Sequence, residues 1–215
     1  MHFHIITLFP HSLDSYLSES ILKRAIEDKK IKVSFYNPRD FVNDPKLRID
    51  RRPFGGGPGM VIQAEPVIKA IEKALKKVKS ETYKIIFLSP SGKQFTNEYA
   101  EKTAKKFKHI IIISGRYEGI DARIKKVFKM EDVSIGPFVL TGGELPAMLM
   151  IDVISRQVEG VLGNFDSIEE KRVSSSEVYT RPEIFTYKGK KYRVPKILLS
   201  GYEAKIAEWK LKRKK

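Results

Sequence analysis

The stretch KIIFLSPSGKQFTNEYAEKTAKKFKHIIIIS, Lys84 to Ser114, decides the fold class. At its ends stand two short, continuous runs rich in β-branched residues, KIIFL (Lys84–Leu88) and HIIIIS (His109–Ser114). Such runs, without polar alternation, are what strands buried on both faces require. Between them, Thr96 to Lys106 has the length and composition of a polar surface helix. Strand, helix, strand at this spacing predicts two parallel strands joined by a crossover. Working outward, HFHIITLF (His2–Phe9) and KVSFY (Lys32–Tyr36) are further strands. Glu65 to Lys79 is a helix that keeps Val67, Ile68, Ile71, Leu75 and Val78 on one face. Pro66 sits in its first turn and lysines fill its other side. AMLMIDVI (Ala147–Ile154) is apolar on most of its circumference, so it needs burial on more than one side, by its own core or by a second chain. The reading is an α/β protein with a parallel sheet flanked by helices. Periodicity is lost between Gly160 and Val178, and Tyr202 to Lys212 forms a last short helix carrying Trp209, the single tryptophan. The expected organisation is therefore a main domain over 1–160, a flexible linker over 161–178 and a small helical region over 179–215.

Composition narrows the partners. The chain has 215 residues, enough at 41% hydrophobic content to bury a sizeable core. Forty-one Lys and Arg against 26 Asp and Glu leave a net charge of +15. Such an excess points to a polyanionic partner, nucleic acid before an anionic membrane. For any single lysine, solvation of an exposed helix face is the plainer explanation. The chain contains no cysteine, which excludes disulfides, thiolate metal sites and a cysteine nucleophile. No apolar run reaches the roughly 20 residues of a membrane span, and MHFHIITLFP lacks the form of a signal peptide, so a cytoplasmic protein is expected. His2, His4, His11 and His109 show no metal-ligand spacing in the sequence and are taken as ordinary strand or surface residues.

In a parallel sheet, ligands bind at the carboxyl ends of the strands. Three loops follow the strand-like runs: LSPSGKQF, SGRYEGID and IGPFVLTGGELP. Each is rich in glycine or proline and poor in lysine, so it can present main-chain groups with little side-chain obstruction. A fourth stretch, RRPFGGGPGMV (Arg51–Val61), packs four glycines and two prolines into eleven residues. It lacks the Lys-Ser/Thr pair of a P-loop, because Met60 and Val61 follow Gly59. It also lacks the spacing of a dinucleotide fingerprint, because Met60 stands where the last glycine is required and no strand is expected before it.

DRRPFGGGPGMV, LSPSG, SGRYEGIDAR, SIGPFVLTGGELPAMLMIDVISR, GVLG, YTRPE and LLSG occur in this order over nearly the whole chain. Together they resemble the bacterial tRNA (guanine-N1)-methyltransferase family TrmD, of the knotted SPOUT superfamily. The resemblance implies a trefoil-knotted domain and a homodimer with sites at the subunit interface. It also implies S-adenosylmethionine as methyl donor and, as acceptor, the guanosine just 3′ of the tRNA anticodon, position 37. For the cofactor it implies Gly115 and the run Ile135, Gly136, Pro137, Phe138, Val139 and Leu140, with Leu88, Ser89, Pro90, Gly142, Gly143 and Pro146 lining the bend. Tyr117 and Glu118 belong to the same site, Glu118 with either a polar role near the cofactor or a structural bond to loop amides. The chain departs from the family at Pro137 and Phe138, where an acidic residue and a tyrosine are common, and at Ser114, where cysteine is usual.

N1 of guanine becomes nucleophilic only when its proton leaves, while negative charge builds on O6, so the site needs a carboxylate base and a cation. By resemblance Asp166 is the base and Arg156 the O6 partner; Glu169 and Glu170 are the alternatives to Asp166, since the link from Gly163 is shorter than usual. The same resemblance gives GGGPGM, with Gly57 and Gly59, as a turn pressing backbone against the target base. Arg48, Arg51 and Arg52 become phosphate contacts. Relatives usually continue into further C-terminal helices, so the basic run Lys210, Lys212, Arg213, Lys214 and Lys215 is expected to substitute for them in gripping tRNA. The family's dependence on magnesium is the one implied metal requirement, although no metal-binding cluster stands out in the sequence. A catalytically inactive RNA-binding relative, or a SPOUT enzyme acting on another RNA, remains the alternative.

Overall fold

The computed structural model describes residues 1–44, 46, 48–78, 82–163 and 177–213. The chain divides into two compact units, Met1–Gly163 and Asn164–Lys215.

The first unit is built on a five-stranded, wholly parallel sheet formed by β1 (His2–Ile6), β2 (Lys32–Tyr36), β5 (Tyr83–Gln94), β6 (His109–Ile113) and β7 (Glu131–Ser134), in the order β2-β1-β6-β5-β7. Its centre shows why the isoleucine runs had to be strands. Ile110 and Ile112 of β6 point into one apolar layer with Phe3, Ile5, Ile86, Met150 and Ile154. Ile111 and Ile113 point into a second, with Ile6, Ile62, Val67 and Ile71. All four β6 isoleucines are fully buried, so beyond His109 this strand has no polar face to show.

Helices cover both layers. α4 (Asn97–Lys106) and α6 (Glu144–Ser155) pack against each other, and α6 also contacts the 3-10 turn Pro10–Leu13 that leads into α1 (Asp14–Leu17) and α2 (Ser20–Glu27). α3 (Ala64–Leu75) contacts β1, β2 and α5 (Ile124–Val127). Thr96 caps α4, its hydroxyl accepting from the Tyr99 amide at 3.1 Å. The expected helix over Glu65 to Lys79 ends earlier, at Leu75. Beyond it the chain tightens into bonds from Lys77 to Ala74 and from Val78 to Leu75. The first strand likewise stops at Ile6, because Pro10 starts the 3-10 turn and Thr7 to Phe9 must turn away from the sheet.

Two other departures shape the site. β5 does not end at Leu88; Leu88 and Lys93 both pair with Val133, so Ser89 to Gly92 loop out while the strand continues beside β7. A strand also precedes the glycine-rich stretch: β3 (Asp50–Arg51) pairs antiparallel with β4 (Val61–Ile62). GGGPGM is therefore the tip of a two-stranded ribbon. That corrects the expectation of no strand there, yet an antiparallel ribbon is still not a dinucleotide-binding β-α turn.

Within the second unit, β8 (Ile184–Tyr187) and β9 (Lys190–Arg193) form an antiparallel hairpin, followed by a 3-10 turn (Lys196–Leu199) and α7 (Glu203–Leu211). The hairpin was not foreseen in a region expected to be helical. Lys188 and Gly189, both at positive φ, form its two-residue turn, the geometry that matches strand twist. The expected linker falls largely outside the described residues.

Candidate cofactor cavity and the loop beside it

The loops after β5, β6 and β7 converge on a cavity of about 450 Å³ at the carboxyl end of the sheet, within the range of about 300–1,000 Å³ usual for small-molecule sites. Leu88, Ser89, Pro90, Gly115, Tyr117, Glu118, Ile135, Phe138, Val139, Leu140, Gly142, Gly143 and Pro146 line it, all of them expected from the sequence. Gly136 and Pro137 do not. At Gly136 an added Cβ would stand 2.2 Å from the Phe138 ring, so this glycine lies against the aromatic side chain that lines the wall. The hydroxyl of Ser134 donates to the Gly136 carbonyl at 2.9 Å and fixes the bend. Arg116, Gly119, Ile120, Ala122, Lys125 and Thr141 also line the cavity and were not singled out. SGRYEGIDAR already held four of them, and treating that motif as one continuous wall would have found them.

The wall is locked by a buried carboxylate. Glu144, at the start of α6, accepts from the Thr7 hydroxyl at 2.7 Å and from Arg116 Nε at 2.8 Å. The Arg116 guanidinium also donates to the Thr141 carbonyl and lies 4.7 Å from the Phe9 ring centroid. One charge-assisted network therefore joins the ends of β1 and β6 to the loop before α6. The backbones themselves are in contact. The Gly143 amide donates to the Gly115 carbonyl at 2.9 Å, and the Ser114 hydroxyl donates to the Gly143 carbonyl at 3.1 Å. A Cβ at Gly143 would lie 2.6 Å from Ser114 Cα. Only glycine permits this approach. Ser114, where cysteine was the family's usual residue, thus fills a hydrogen-bonding place that a thiol would fill more weakly.

GGGPGM lies directly beside this wall. The Glu118 amide donates to the Met60 carbonyl at 3.0 Å, the Ile62 amide to the Gly119 carbonyl at 3.0 Å and the Asp121 amide to the Ile62 carbonyl at 3.0 Å. Gly59 has φ +78°, and a Cβ there would stand 2.5 Å from the Glu118 carboxylate. Gly55 to Gly57 also have positive φ and are exposed, with Phe54 open to solvent beside them. Arg48, Arg51 and Arg52 are exposed on the same ribbon. Arg51 reaches Asp44 at 3.2 Å. The Lys46 amide and then Arg51 hold the Asp44 carboxyl below the ordinary aspartate range.

Of Asp166 and Arg156, the residues expected to do the chemistry, only Arg156 lies among the described residues. Asp166, with Glu169 and Glu170, lies outside the described residues. Arg156 follows α6 at its carboxyl end, whereas Gly142, Gly143 and Pro146 line the cavity at the amino end; 12 helical residues separate them by roughly 18 Å. Along α6, Leu145 and Leu149 remain exposed, while Ala147, Met150, Ile151 and Ile154 are buried. The Tyr16 hydroxyl donates to Asp152, an interaction that raises its pKa. In the second unit, Lys212 pairs with Glu208 at 2.7 Å, and Arg213 reaches Glu177 at 3.6 Å and lies over the Trp209 ring. Lys214 and Lys215 lie outside the described residues.

At the opposite, amino-terminal end of the sheet, the register corrects one reading of the sequence. His2 pairs with His109, and His4 follows His2 on the same face, so three histidines distant in sequence become neighbours. His11 stays apart, exposed and paired with Asp14.

A family profile described as tRNA (Guanine-1)-methyltransferase TrmD matches residues 1–215. A tRNA (guanine-N(1)-)-methyltransferase of Campylobacter jejuni subsp. doylei is 44% identical over 214 residues, covering 98% of this chain and 90% of the relative. Proteins of the same name from Caldanaerobacter subterraneus subsp. tengcongensis and Thermomicrobium roseum are 46% and 45% identical, again over 98% of this chain and over 85% and 77% of their own lengths. With a glycine-walled cavity at the sheet's carboxyl end and a matching profile along its whole length, the chain belongs to the tRNA (guanine-1)-methyltransferase family TrmD.

Proposed function

We propose that this protein transfers a methyl group from S-adenosylmethionine to N1 of guanosine 37 in tRNA, the position just 3′ of the anticodon. The observation that carries the reading is the attachment of GGGPGM to the cavity wall through the Glu118–Met60 and Ile62–Gly119 hydrogen bonds. It sets a side-chain-free, exposed loop beside a cofactor-sized cavity, so a flat base can approach the main chain closely.

The residues present suit the methyl donor. The cavity is walled by glycines and by the apolar Leu88, Pro90, Phe138, Val139 and Leu140, so main-chain groups can hold the polar edges of an adenosyl moiety while these side chains cover its faces. When bound, the donor supplies an activated methyl group on a sulfonium. Asp166 takes the N1 proton. With the donor bound, the deprotonated N1 would take up that methyl group as the carbon–sulfur electron pair returned to sulfur. Arg156 balances the charge that gathers on O6.

Because Arg156 and the cavity stand at opposite ends of α6, the site is completed by a second copy of the chain, in a homodimer built on the apolar flank of Leu145 and Leu149. The knot follows the same segment: the chain after β7 passes Ser114 and Gly115 at backbone contact before entering α6. tRNA is held by Arg48, Arg51 and Arg52 and by the basic and aromatic hairpin β8–β9. Phe185 and Tyr192 stack there at 5.1 Å between ring centroids, Tyr187 is exposed, and Lys188, Lys190, Lys191 and Arg193 surround them. Exposed rings among cations are what unpaired bases stack on. Lys212 and Arg213 already have acidic partners, so they contribute less than their charge suggests. Magnesium dependence belongs to the same reading as an expectation of the family.

Incubating the protein with methyl donor and a tRNA carrying G37, then mapping the product by primer extension, is the test. The expected result is one stop at position 37 that an A37 tRNA does not give. A stop elsewhere, or equal methylation of both RNAs, would overturn the reading.

A further inference from the structure

Three imidazoles meet where β1 and β6 begin. Residues two apart on a strand share a face, and neighbouring strands lie about 4.8 Å apart, so His2, His4 and the cross-strand His109 form a triangle. One ring nitrogen from each lies within 4.8 Å of the other two. His4 is fully buried, and His2 and His109 are half-buried. The rings are held in place. His4 Nδ1 bonds the Tyr36 hydroxyl at 3.0 Å, and His2 Nε2 bonds the Ser34 hydroxyl at 2.9 Å. The remaining His4 nitrogen, Nε2, faces His109 Nδ1 at 3.1 Å.

That last spacing has two meanings. It suits a hydrogen bond between neutral imidazoles, and it is close to the separation of about 3.3 Å between two nitrogens bound tetrahedrally to one ion at zinc–nitrogen distances. Metal-bound histidines commonly engage their second nitrogen with an outer partner, as Tyr36 does for His4.

We propose that His2, His4 and His109 bind one divalent transition-metal ion of the zinc type, with water or an exogenous ligand completing the fourth position. Three neutral nitrogen donors suit Zn²⁺, Ni²⁺ or Cu²⁺; a site without oxygen anions does not suit Mg²⁺ or Ca²⁺. The ion clamps the starts of β1 and β6 together. It is structural, because the cofactor cavity lies at the other end of the same strands. Lys32 and Lys77, both close enough to act on these imidazoles, weaken the attraction for a cation and set a moderate affinity.

The probe is Co²⁺, then Zn²⁺, titrated into untagged, chelator-treated protein. The expected result is saturation at one equivalent, with the intense visible absorption of a four-coordinate cobalt ion, lost when Zn²⁺ displaces it. Zn²⁺ should also raise the melting temperature by mass action. His109→Gln and His2→Gln, each checked for an unchanged circular dichroism spectrum, should weaken binding at least about tenfold, no less than loss of an outer-shell partner would. His11→Gln should not change it. Absence of saturable binding at one equivalent overturns the site, as does binding that survives both variants or disappears with His11→Gln. A failure here leaves the methyltransferase reading untouched, because that is read from RNA methylation.

Discussion

Of the glycines that line the cavity, Gly143 is the one at which an added Cβ would meet main chain. Gly143→Ala must push its Cβ against the Ser114 main chain rather than a side chain that could swing away. Overpacking of this kind costs about 1–3 kcal/mol, and the wall it displaces lines the cavity. Chemical denaturation should show a loss of that order, and calorimetry a weaker affinity for S-adenosylmethionine. Asp166→Asn is expected to leave donor and tRNA binding intact while turnover falls ~10²- to 10⁴-fold, the usual share of a general base. Near-normal turnover in single-turnover assays would move the role to Glu169 or Glu170. Most of the cavity was legible because glycine-rich loops after apolar strands can be read one motif at a time. Gly136 and Pro137 fall outside the cavity lining, because sequence cannot say which side of a bend faces the cavity. The histidine triangle was invisible because it depends on the register of β1 against β6, and spacing along the chain carries no trace of that.

Elements divide by how local their cause is. The strands of the main sheet were legible from their isoleucines, and α4 from Thr96 and the polar run after it. The hairpin β8–β9 was missed although Lys188–Gly189 is a turn signal, since KGKKYR has too few apolar residues to declare a strand. Its stability comes from cross-strand pairs such as Phe185 with Tyr192. Replacing Phe185 and Tyr187 by serine should weaken tRNA binding by about 1–3 kcal/mol for each base that stacks there. Filter binding would measure it, with donor affinity unchanged as the control. In the first unit, on edge strand β7, Glu131 is opposed by its own burial, yet bonds from Lys84 and Tyr99 win and hold its pKa below the ordinary glutamate range. A depressed carboxyl stabilises the fold above the unfolded pKa and loses that contribution as pH falls toward the folded value. Glu131→Gln should therefore lower stability at neutral pH and flatten the acid limb of a melting-temperature profile. An unchanged acid limb would remove Glu131 from the account.

At the scale of the whole molecule, the described residues of one chain line the cavity, and the proposal is that a second copy completes the catalytic site. α6 links the two: its amino end closes the cavity, its carboxyl end leads to Arg156, and Leu145 and Leu149 stay exposed between them. That AMLMIDVI is apolar on most of its circumference was legible; which of its residues the chain's own core would bury and which, like Leu149, it would leave exposed was not. The central claim, a site shared between two copies, is tested by mixing two inactive variants. Arg156→Ala removes the cation. Gly115→Phe fills the cavity from a position where a Cβ meets only the Ile120 side chain, at 3.7 Å. If the site is shared, each mixed dimer regains one intact site, and random exchange of equal amounts should restore about a quarter of wild-type activity. A mixture that stays as inactive as either parent, with subunit exchange verified by mass spectrometry, would contradict it.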